Sequence, residues 1–228
     1  MMNRENMSSA PLEILYQDEW LVVVNKPAGY LVHPAEDPQP DHLVMMKILR
    51  DHLGCYVYPI HRLDRPTCGV LLFGIDKQVA KKLHKAFELQ QTQKVYHAVV
   101  PGIPAATQWS CSEPLQKETG KPLRSALTDF KVLDSTKIEQ ESMSLIEARP
   151  KTGRFHQIRR HLLHAGFPIV GDYRYHDIER CDILSEKFDL NQRMLLQAKT
   201  LTFTHPVTNE SLTVSSPRDP LIARLFGS

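Results

Sequence analysis

The residues best suited to chemistry surround Asp64. Segment 61–65 has the sequence HRLDR, so a single carboxylate lies between two arginines. Pro66 and Gly69 follow it and restrict the conformation of the loop. Neighbouring cations favour an ionised carboxylate, which is a poor general base but an available nucleophile or electrostatic partner. Taken alone, this charge pattern is more often that of a surface ion pair, which contributes little to stability.

A second basic segment covers residues 151–164. Its apolar residues recur at helical spacing, and in a helix over 155–165 they would form one stripe that faces the protein core: Phe155, Ile158, Leu162 and Ala165. Arg154, Arg159 and Arg160 would lie in the first part of that helix. The helix dipole disfavours each cation there by roughly 0.3–1 kcal/mol. The arginines therefore either bind a phosphate or a buried carboxylate, or form a solvated basic face.

The same segment carries His156, His161 and His164, which raise the possibility of a metal site. The i, i+4 spacing of helical zinc ligands is missing, and no carboxylate stands between the histidines. Arg160 would share a helix face with His156 and would repel a dication. The sequence therefore predicts no metal site.

Tyr96 lies in segment 94–98, which has the composition of a strand. A tyrosine in a strand is usually a half-buried packing residue. Its functional interpretation is a ring that stacks on a nucleobase, with the hydroxyl near the reacting sugar. Only the surrounding residues can distinguish the two.

The composition is that of a folded soluble protein, with 228 residues, 42% hydrophobic and 24% charged. The net charge is only +2, so RNA binding would require basic residues that cluster in space. The four cysteines are too widely spaced for a zinc knuckle or a disulfide framework. Segment 1–10 lacks the apolar run of a signal peptide, and no segment has the ~20 apolar residues of a membrane span. We therefore expect a cytoplasmic protein that does not associate with membranes.

The elements are predicted from hydrophobic patterning. Residues 1–10 should form a flexible tail and residues 11–228 a single domain. Helices are predicted over 43–52, 77–90 and 155–165. Strands are predicted as a hairpin over 12–24 and then over 69–75, 94–100, 108–114, 125–133, 142–149, 194–204 and 211–215. Residues 174–192 are polar and are predicted to be a loop. Because strands outnumber helices and hairpins recur, the sequence predicts an α+β fold rather than a doubly wound parallel sheet.

Six segments in order resemble the RluA-type family of RNA pseudouridine synthases. The family signature HRLDxxTSG is matched by residues 61–69, with Cys68 where serine is usual. The other matching segments are NKPAG at 25–29, KVYHA at 94–98, TGRFHQIRRH at 152–161, GDYRY at 171–175 and RMLLQA at 193–198. In the last of these, Gln197 stands where the family has histidine. One such motif would be a weak indication, whereas six in order are specific.

The resemblance implies a pseudouridine synthase fold, with a mixed, mainly antiparallel central sheet flanked by helices and loops. It implies that Asp64 separates uracil from its ribose and that Arg159 pairs with Asp64 and keeps it charged. Tyr96 would stack on the target base. It also implies a set of substrate-binding residues: Arg62, Ile158, Leu195, Leu196, Arg154 and His156. Of these, Arg62 would fill the space that the flipped nucleotide leaves.

The implied reaction detaches uracil at N1, turns it while it is bound, and rejoins it through C5. It requires no cofactor and no metal. The implied partner is RNA, with tRNA favoured. We expect a monomer without an obligate protein partner and without the S4 RNA-binding module that family members often carry. Segments 12–22, 65–66 and 160–162 resemble a subgroup that acts on uridine-65 of tRNA, although segment 107–133 is shorter than expected for it.

Three alternatives are open at this point. The substrate could be a ribosomal RNA or another tRNA uridine. The chain could be an inactive RNA-binding or RNA-folding protein on the same scaffold, although intact Asp64, Tyr96 and Arg159 argue against this. It could also be a metal-dependent hydrolase that uses the histidines. Lys81 and Lys85 either bind RNA phosphates or form a solvated helix face.

Overall fold

The computed structural model describes residues 12–34, 39, 42–117 and 120–227. The proposed tail over 1–10 lies outside the described residues. The strands are β1 (Glu13–Gln17), β2 (Leu21–Lys26), β3 (Tyr58–Pro59), β4 (Cys68–Gly74), β5 (Gln93–Pro101), β6 (Gln108–Cys111), β7 (Thr128–Ile138), β8 (Glu141–Pro150), β9 (Leu196–Thr204) and β10 (Ser211–Ser215). The helices are α1 (Met45–Leu53), α2 (Lys77–Glu88), α3 (Gln157–His164), α4 (Ile178–Lys187) and α5 (Pro220–Phe226). No helix in these ranges is long and apolar enough to cross a membrane.

The strands form one sheet in the order β1-β2-β4-β9-β5-β8-β7-β6, with β10 beside β9 and β3 beside β4. Every pairing between these strands is antiparallel except that of β4 with β9. In that parallel pair Cys68 aligns with Gln197 and Gly69 with Ala198. The expected mixed, mainly antiparallel α+β fold is therefore confirmed. The parallel pair joins β4, the strand that follows Asp64, to β9, which in turn pairs with β5, the strand that carries Tyr96.

Strand β4 is buried along its whole length because helices cover both faces of the sheet there. Leu72 packs in a cluster with Leu83 of α2. Phe73, on the opposite face, packs in a cluster with Leu49 of α1. The continuous apolar run that predicted a buried strand therefore results from helices on both sides.

Two helices were not predicted. Residues 174–192 were expected to be a loop, but α4 lies within them, and the Asp177 side chain accepts a hydrogen bond from the backbone N–H of Arg180 at 2.8 Å. Only a narrow stripe of α4 is buried, including Cys181 and Leu184, so its apolar periodicity is weak. Helix α5 has both an Asp219 cap and a proline in its first turn, a start signal that the sequence analysis did not use.

The parallel pair depends on Gly69. Its φ is +107°, and a Cβ at this position would lie 2.1 Å from the carbonyl oxygen of Ala198. A side chain of any size would therefore force β4 away from β9. The glycine of the HRLDxxTSG segment is required by this close approach of two backbones.

We predict that Gly69→Ala destabilises the protein far more than Gly54→Ala. Gly54 also has a positive φ, +67°, but nothing lies within 4 Å of its would-be Cβ. Gly54→Ala is therefore the control, and its free energy of unfolding should fall only by the cost of a left-handed alanine, about 1–2 kcal/mol. Urea unfolding of both variants measures the difference, and equal losses would contradict the close-approach argument.

Candidate active site

A cleft of about 800 Å³ opens beside the Asp64 loop, which we define as residues 61–67. Its walls come from this loop, the start of β5, the first residue of β9 and the turn that leads into α3. The lining includes eight of the nine site residues expected from the sequence: Arg62, Asp64, Tyr96, Arg154, His156, Ile158, Arg159 and Leu196. Segments far apart in sequence thus meet in one depression.

Arg159 lies between two carboxylates. Its Nη1 donates to Asp64 Oδ2 at 3.1 Å. Its Nε and Nη2 donate to the two oxygens of Asp172 at 2.8 and 2.7 Å, a bidentate pair. The side chains of Arg159 and Asp172 are 5% and 0% exposed, whereas that of Asp64 is 20% exposed. Asp172 therefore fixes the guanidinium, and Asp64 receives one hydrogen bond while still facing the cleft.

The charges of this group do not cancel. Burial lowers the pKa of Arg159, but the hydrogen bonds and charges of Asp172 and Asp64 outweigh burial, so that its pKa is raised overall. One cation faces two carboxylates, which leaves a net negative charge on the group. The excess negative charge lies on Asp64, the carboxylate that solvent or a substrate can reach. This arrangement suits an oriented, ionised nucleophile.

His156 lies on the other side of Asp64 and adopts a left-handed conformation with φ +53°. Its Nε2 is 3.5 Å from Asp64 Oδ1, and its Nδ1 is 3.0 Å from the Tyr175 hydroxyl. Burial lowers the pKa of His156 to about 4, although the charge of Asp64 opposes this shift. The ring is therefore neutral near pH 7. Since Nε2 faces a carboxylate, we assign the proton to Nε2 and let Nδ1 accept from the tyrosine.

The Tyr175 ring packs against both Arg159 and His156. The Arg159 guanidinium lies 5.0 Å from the centroid of the Tyr175 ring, and the His156 ring meets it edge-on at 5.6 Å. Asp172 and Tyr175 were seen in the sequence only as parts of the GDYRY segment, and neither was given a role. That segment was the signal that could have identified both as supports of the arginine.

Tyr96 lines the same cleft from β5. It follows an irregularity in the pairing of β5 with β9, between Val95 and Tyr96, of the kind that redirects a side chain. Burial, and then the charge of Asp64, raise the pKa of the Tyr96 hydroxyl. The hydroxyl stays protonated near neutral pH, so the ring can stack and its O–H can donate.

Lys26 fastens the Asp64 loop from behind. It is fully buried, and its Nζ donates to the carbonyls of Pro27, Tyr30 and Arg65 at 2.9, 2.9 and 3.2 Å. The backbone N–H of Gly29 donates to the same Arg65 carbonyl at 2.8 Å. Burial lowers the pKa of Lys26 to about 7. The NKPAG segment therefore holds the Asp64 loop through its backbone.

Two expectations need correction. Leu195 does not line the cleft, because neighbouring residues in an extended chain point to opposite faces. It packs in a separate core cluster with Val99 and Leu184, while Leu196 faces the cleft. Arg154 does not lie in the helix, which begins at Gln157. The dipole argument therefore does not apply to Arg154, whose Nε donates to the Ser125 carbonyl at 3.0 Å.

The three histidines of this segment do not converge. His161 is buried and bonds Thr128 and the Glu113 carbonyl, whereas His164 is exposed and lies 4.0 Å from the Glu113 carboxylate. Across the part of the chain that the structure describes, no group of three or more His, Cys, Asp or Glu side chains could hold a metal ion.

We predict that Asp172→Asn lowers the free energy of unfolding by about 3–5 kcal/mol, because it leaves a buried guanidinium without its bidentate partner. Asp51→Asn is the matched control, since Asp51 pairs with Arg50 at the surface and such a pair is worth about 1 kcal/mol or less. Chemical denaturation at pH 7 compares the two. We call the bidentate pairing of Asp172 with Arg159 the clamp. If Asp172→Asn lost no more stability than Asp51→Asn, the clamp would not stabilise the fold.

Comparison with known proteins identifies the family. The family model of RNA pseudouridylate synthases matches residues 20–164. The chain is 37% identical to tRNA pseudouridine synthase C of Vibrio parahaemolyticus, over 96% of each chain. It is 40% identical to the protein of the same name from Pasteurella multocida, over 91% of this chain and 92% of the other.

A solved structure shows the same fold. Human RNA pseudouridylate synthase domain containing 1 superposes with a TM-score of 0.76 at 26% identity, over 94% of this chain and 86% of the human one. The resemblance drawn from the six segments is therefore confirmed, as is the expectation of an RNA pseudouridine synthase. The chain belongs to the RNA pseudouridylate synthase family.

Proposed function

We propose that the chain isomerises uridine to pseudouridine in tRNA, at uridine-65, with Asp64 as the catalytic carboxylate. The observation that carries the proposal is the Asp64–Arg159–Asp172 group, in which the carboxylate of Asp64 lines the cleft and that of Asp172 does not. The relatives named tRNA pseudouridine synthase C support the choice of RNA. The choice of position 65 rests on segments 12–22, 65–66 and 160–162.

The charge around the cleft supports an RNA substrate. Although the net charge is only +2, basic side chains gather along its lining: Arg62, Lys94, Lys121, Arg124 and Arg154. They come from the Asp64 loop, the start of β5, segment 121–124 and the turn before α3, so several segments could contact a phosphate backbone. This is the spatial clustering that a nearly neutral RNA-binding chain requires.

The reaction leaves atoms and charge balanced. The bond between uracil N1 and ribose C1′ breaks, the base turns, and a bond from C5 to C1′ forms. N1 gains a proton and C5 loses one, so no redox partner is consumed. Asp64 attacks as an ionised carboxylate while Arg159 fixes its orientation. At the sugar, Asp64 would bond to C1′ as the bond to N1 breaks and leave as C5 bonds to C1′. At the base, it would add to the uracil ring and be eliminated again before the product leaves. His156 is neutral and leaves the charge of Asp64 intact.

The other lining residues would hold the base. Tyr96 stacks on uracil and its protonated hydroxyl is available for proton transfer, while Ile158 and Leu196 form the apolar side of the pocket. A uridine within a stem must first leave its stack, at a cost of a few kcal/mol. Arg62 is exposed at the mouth of the cleft and would occupy the vacated space.

We further propose that the enzyme acts as a cytoplasmic monomer without an obligate protein partner, and that residues 11–228 form its catalytic domain. A tRNA substrate fits a cytoplasmic enzyme.

The direct test is incubation of the purified protein with unmodified tRNA, followed by mapping of pseudouridine. The proposal predicts product at position 65. Product at another position, or in ribosomal RNA only, would contradict the assignment of the substrate. RNA from a deletion strain provides the cellular counterpart, since loss at a ribosomal position with position 65 intact would exclude the tRNA-65 activity.

For the chemistry, we predict that Asp64→Asn binds tRNA with nearly the wild-type dissociation constant and yields no detectable product. The amide keeps the shape of the side chain and loses its nucleophilic charge. Gel-shift titration measures binding, and a single-turnover assay measures product. The matched control is Asp76→Asn, which alters another loop aspartate, the N-cap of α2, outside the cleft. Normal turnover by Asp64→Asn would exclude the proposed mechanism.

A further inference from the structure

Asp219 receives hydrogen bonds from two segments that support the proposed active site. It is buried at the start of α5, and its Oδ2 lies 3.4 Å from the Cys68 Sγ and 2.7 Å from Arg193 Nη2. Cys68 directly follows the Asp64 loop. Burial, and then the charge of Asp219, raise the pKa of the Cys68 thiol to about 12, so the thiol remains protonated and can donate.

Arg193 belongs to the segment that supports the other carboxylate. A Cβ at Gly171 would lie 2.0 Å from the Arg193 carbonyl oxygen, so these two backbones are in close contact. Asp172, which clamps Arg159, is the next residue after Gly171. A displacement of the Arg193 backbone would therefore press on the residue that precedes Asp172.

Gln197 completes the contact. Its Oε1 accepts the backbone N–H of Asp219 at 3.1 Å, and its Nε2 donates to Ser216 Oγ at 2.9 Å and to the Pro217 carbonyl. It is 1% exposed and aligned with Cys68 in the parallel pair. The two residues that depart from the family pattern are thus neighbours, and both contact Asp219.

The geometry points to Asp219 as a positioning residue for the proposed reaction: its carboxylate ties the Asp64 loop, through Cys68, to the clamp on Arg159, through Arg193. The inference rests on the proposed function. It also explains the departure at position 68, because a serine hydroxyl would donate to the same oxygen. Asp219 touches no part of the cleft and acts only through its neighbours.

Asp219→Asn is the test. The asparagine keeps the cap of α5, since its side-chain oxygen can still accept from Leu221 N–H as Asp219 Oδ1 does at 2.9 Å. It loses the charge, and with the cap kept its amide N–H₂ takes the place of Oδ2 and faces the donors on both Cys68 and Arg193. Arg224→Ala is the matched control, because Arg224 holds the other end of α5 to the carbonyls of Phe188 and Asp189.

Two readouts are measured at a temperature where both variants are folded. Asp219→Asn should slow single-turnover pseudouridine formation by roughly 10-fold, as expected for small misplacements of reacting groups, with the tRNA dissociation constant unchanged. It should also raise amide hydrogen exchange in both 61–68 and 169–175. Arg224→Ala should raise exchange only near α5 and keep the wild-type rate.

The outcomes separate the two proposals. If Asp219→Asn keeps the wild-type rate and exchange, or if Arg224→Ala reproduces its effects, Asp219 is not a positioning residue. If the wild-type protein makes no pseudouridine in tRNA, the proposed function fails, and the exchange pattern still decides whether Asp219 joins the two segments.

Discussion

Arg159 is the point on which the rest of the site depends, because a buried guanidinium needs carboxylate partners and this one has two. Asp172 takes the stronger, bidentate share at 2.7 and 2.8 Å, and Asp64 takes one hydrogen bond at 3.1 Å. Removing a charge from water is costly unless its hydrogen bonds are satisfied. Asp172 meets most of that requirement from within the core, so Asp64 can be oriented without being neutralised.

The sheet is arranged to bring these partners together. Gly69 lets β4 approach β9, and Gly171 lets its segment pack against Arg193; at either position a Cβ would collide with a backbone carbonyl. These contacts place the Asp64 loop and the start of β9 beside one cleft and keep Asp172 buried against Arg159. Lys26 and Gly29 then fasten the loop through the carbonyl and the side chain of Arg65, which leaves Asp64 free to face the cleft.

The sequence predicts most of the fold and the chief partners, but for different reasons. Strand β4 has a continuous apolar run and helix α2 a strong periodicity, and the pairing of Asp64 with Arg159 is what the resemblance to the family implies. Periodicity does not reveal the role of Asp172, because it lies 13 residues beyond Arg159, after the helix has ended, and only its place in the GDYRY segment points to it. Helix α4 buries too narrow a stripe to be recognised by pattern. The prediction for Leu195 was wrong because alternation along an extended chain shows that Leu195 and Leu196 face opposite ways but not which of them faces the cleft.

The role of Arg159 is tested most directly by Arg159→Lys, with single-turnover pseudouridine formation in tRNA measured beside tRNA affinity. Lysine keeps the positive charge but cannot bind Asp172 in a bidentate manner and reach Asp64 at the same time. We predict that the rate falls by roughly 100-fold, the penalty of a misplaced reacting group, while the dissociation constant for tRNA stays within about threefold of wild type. A wild-type rate in this variant would contradict the claim that Asp64 works only when this arginine, clamped by Asp172, holds it.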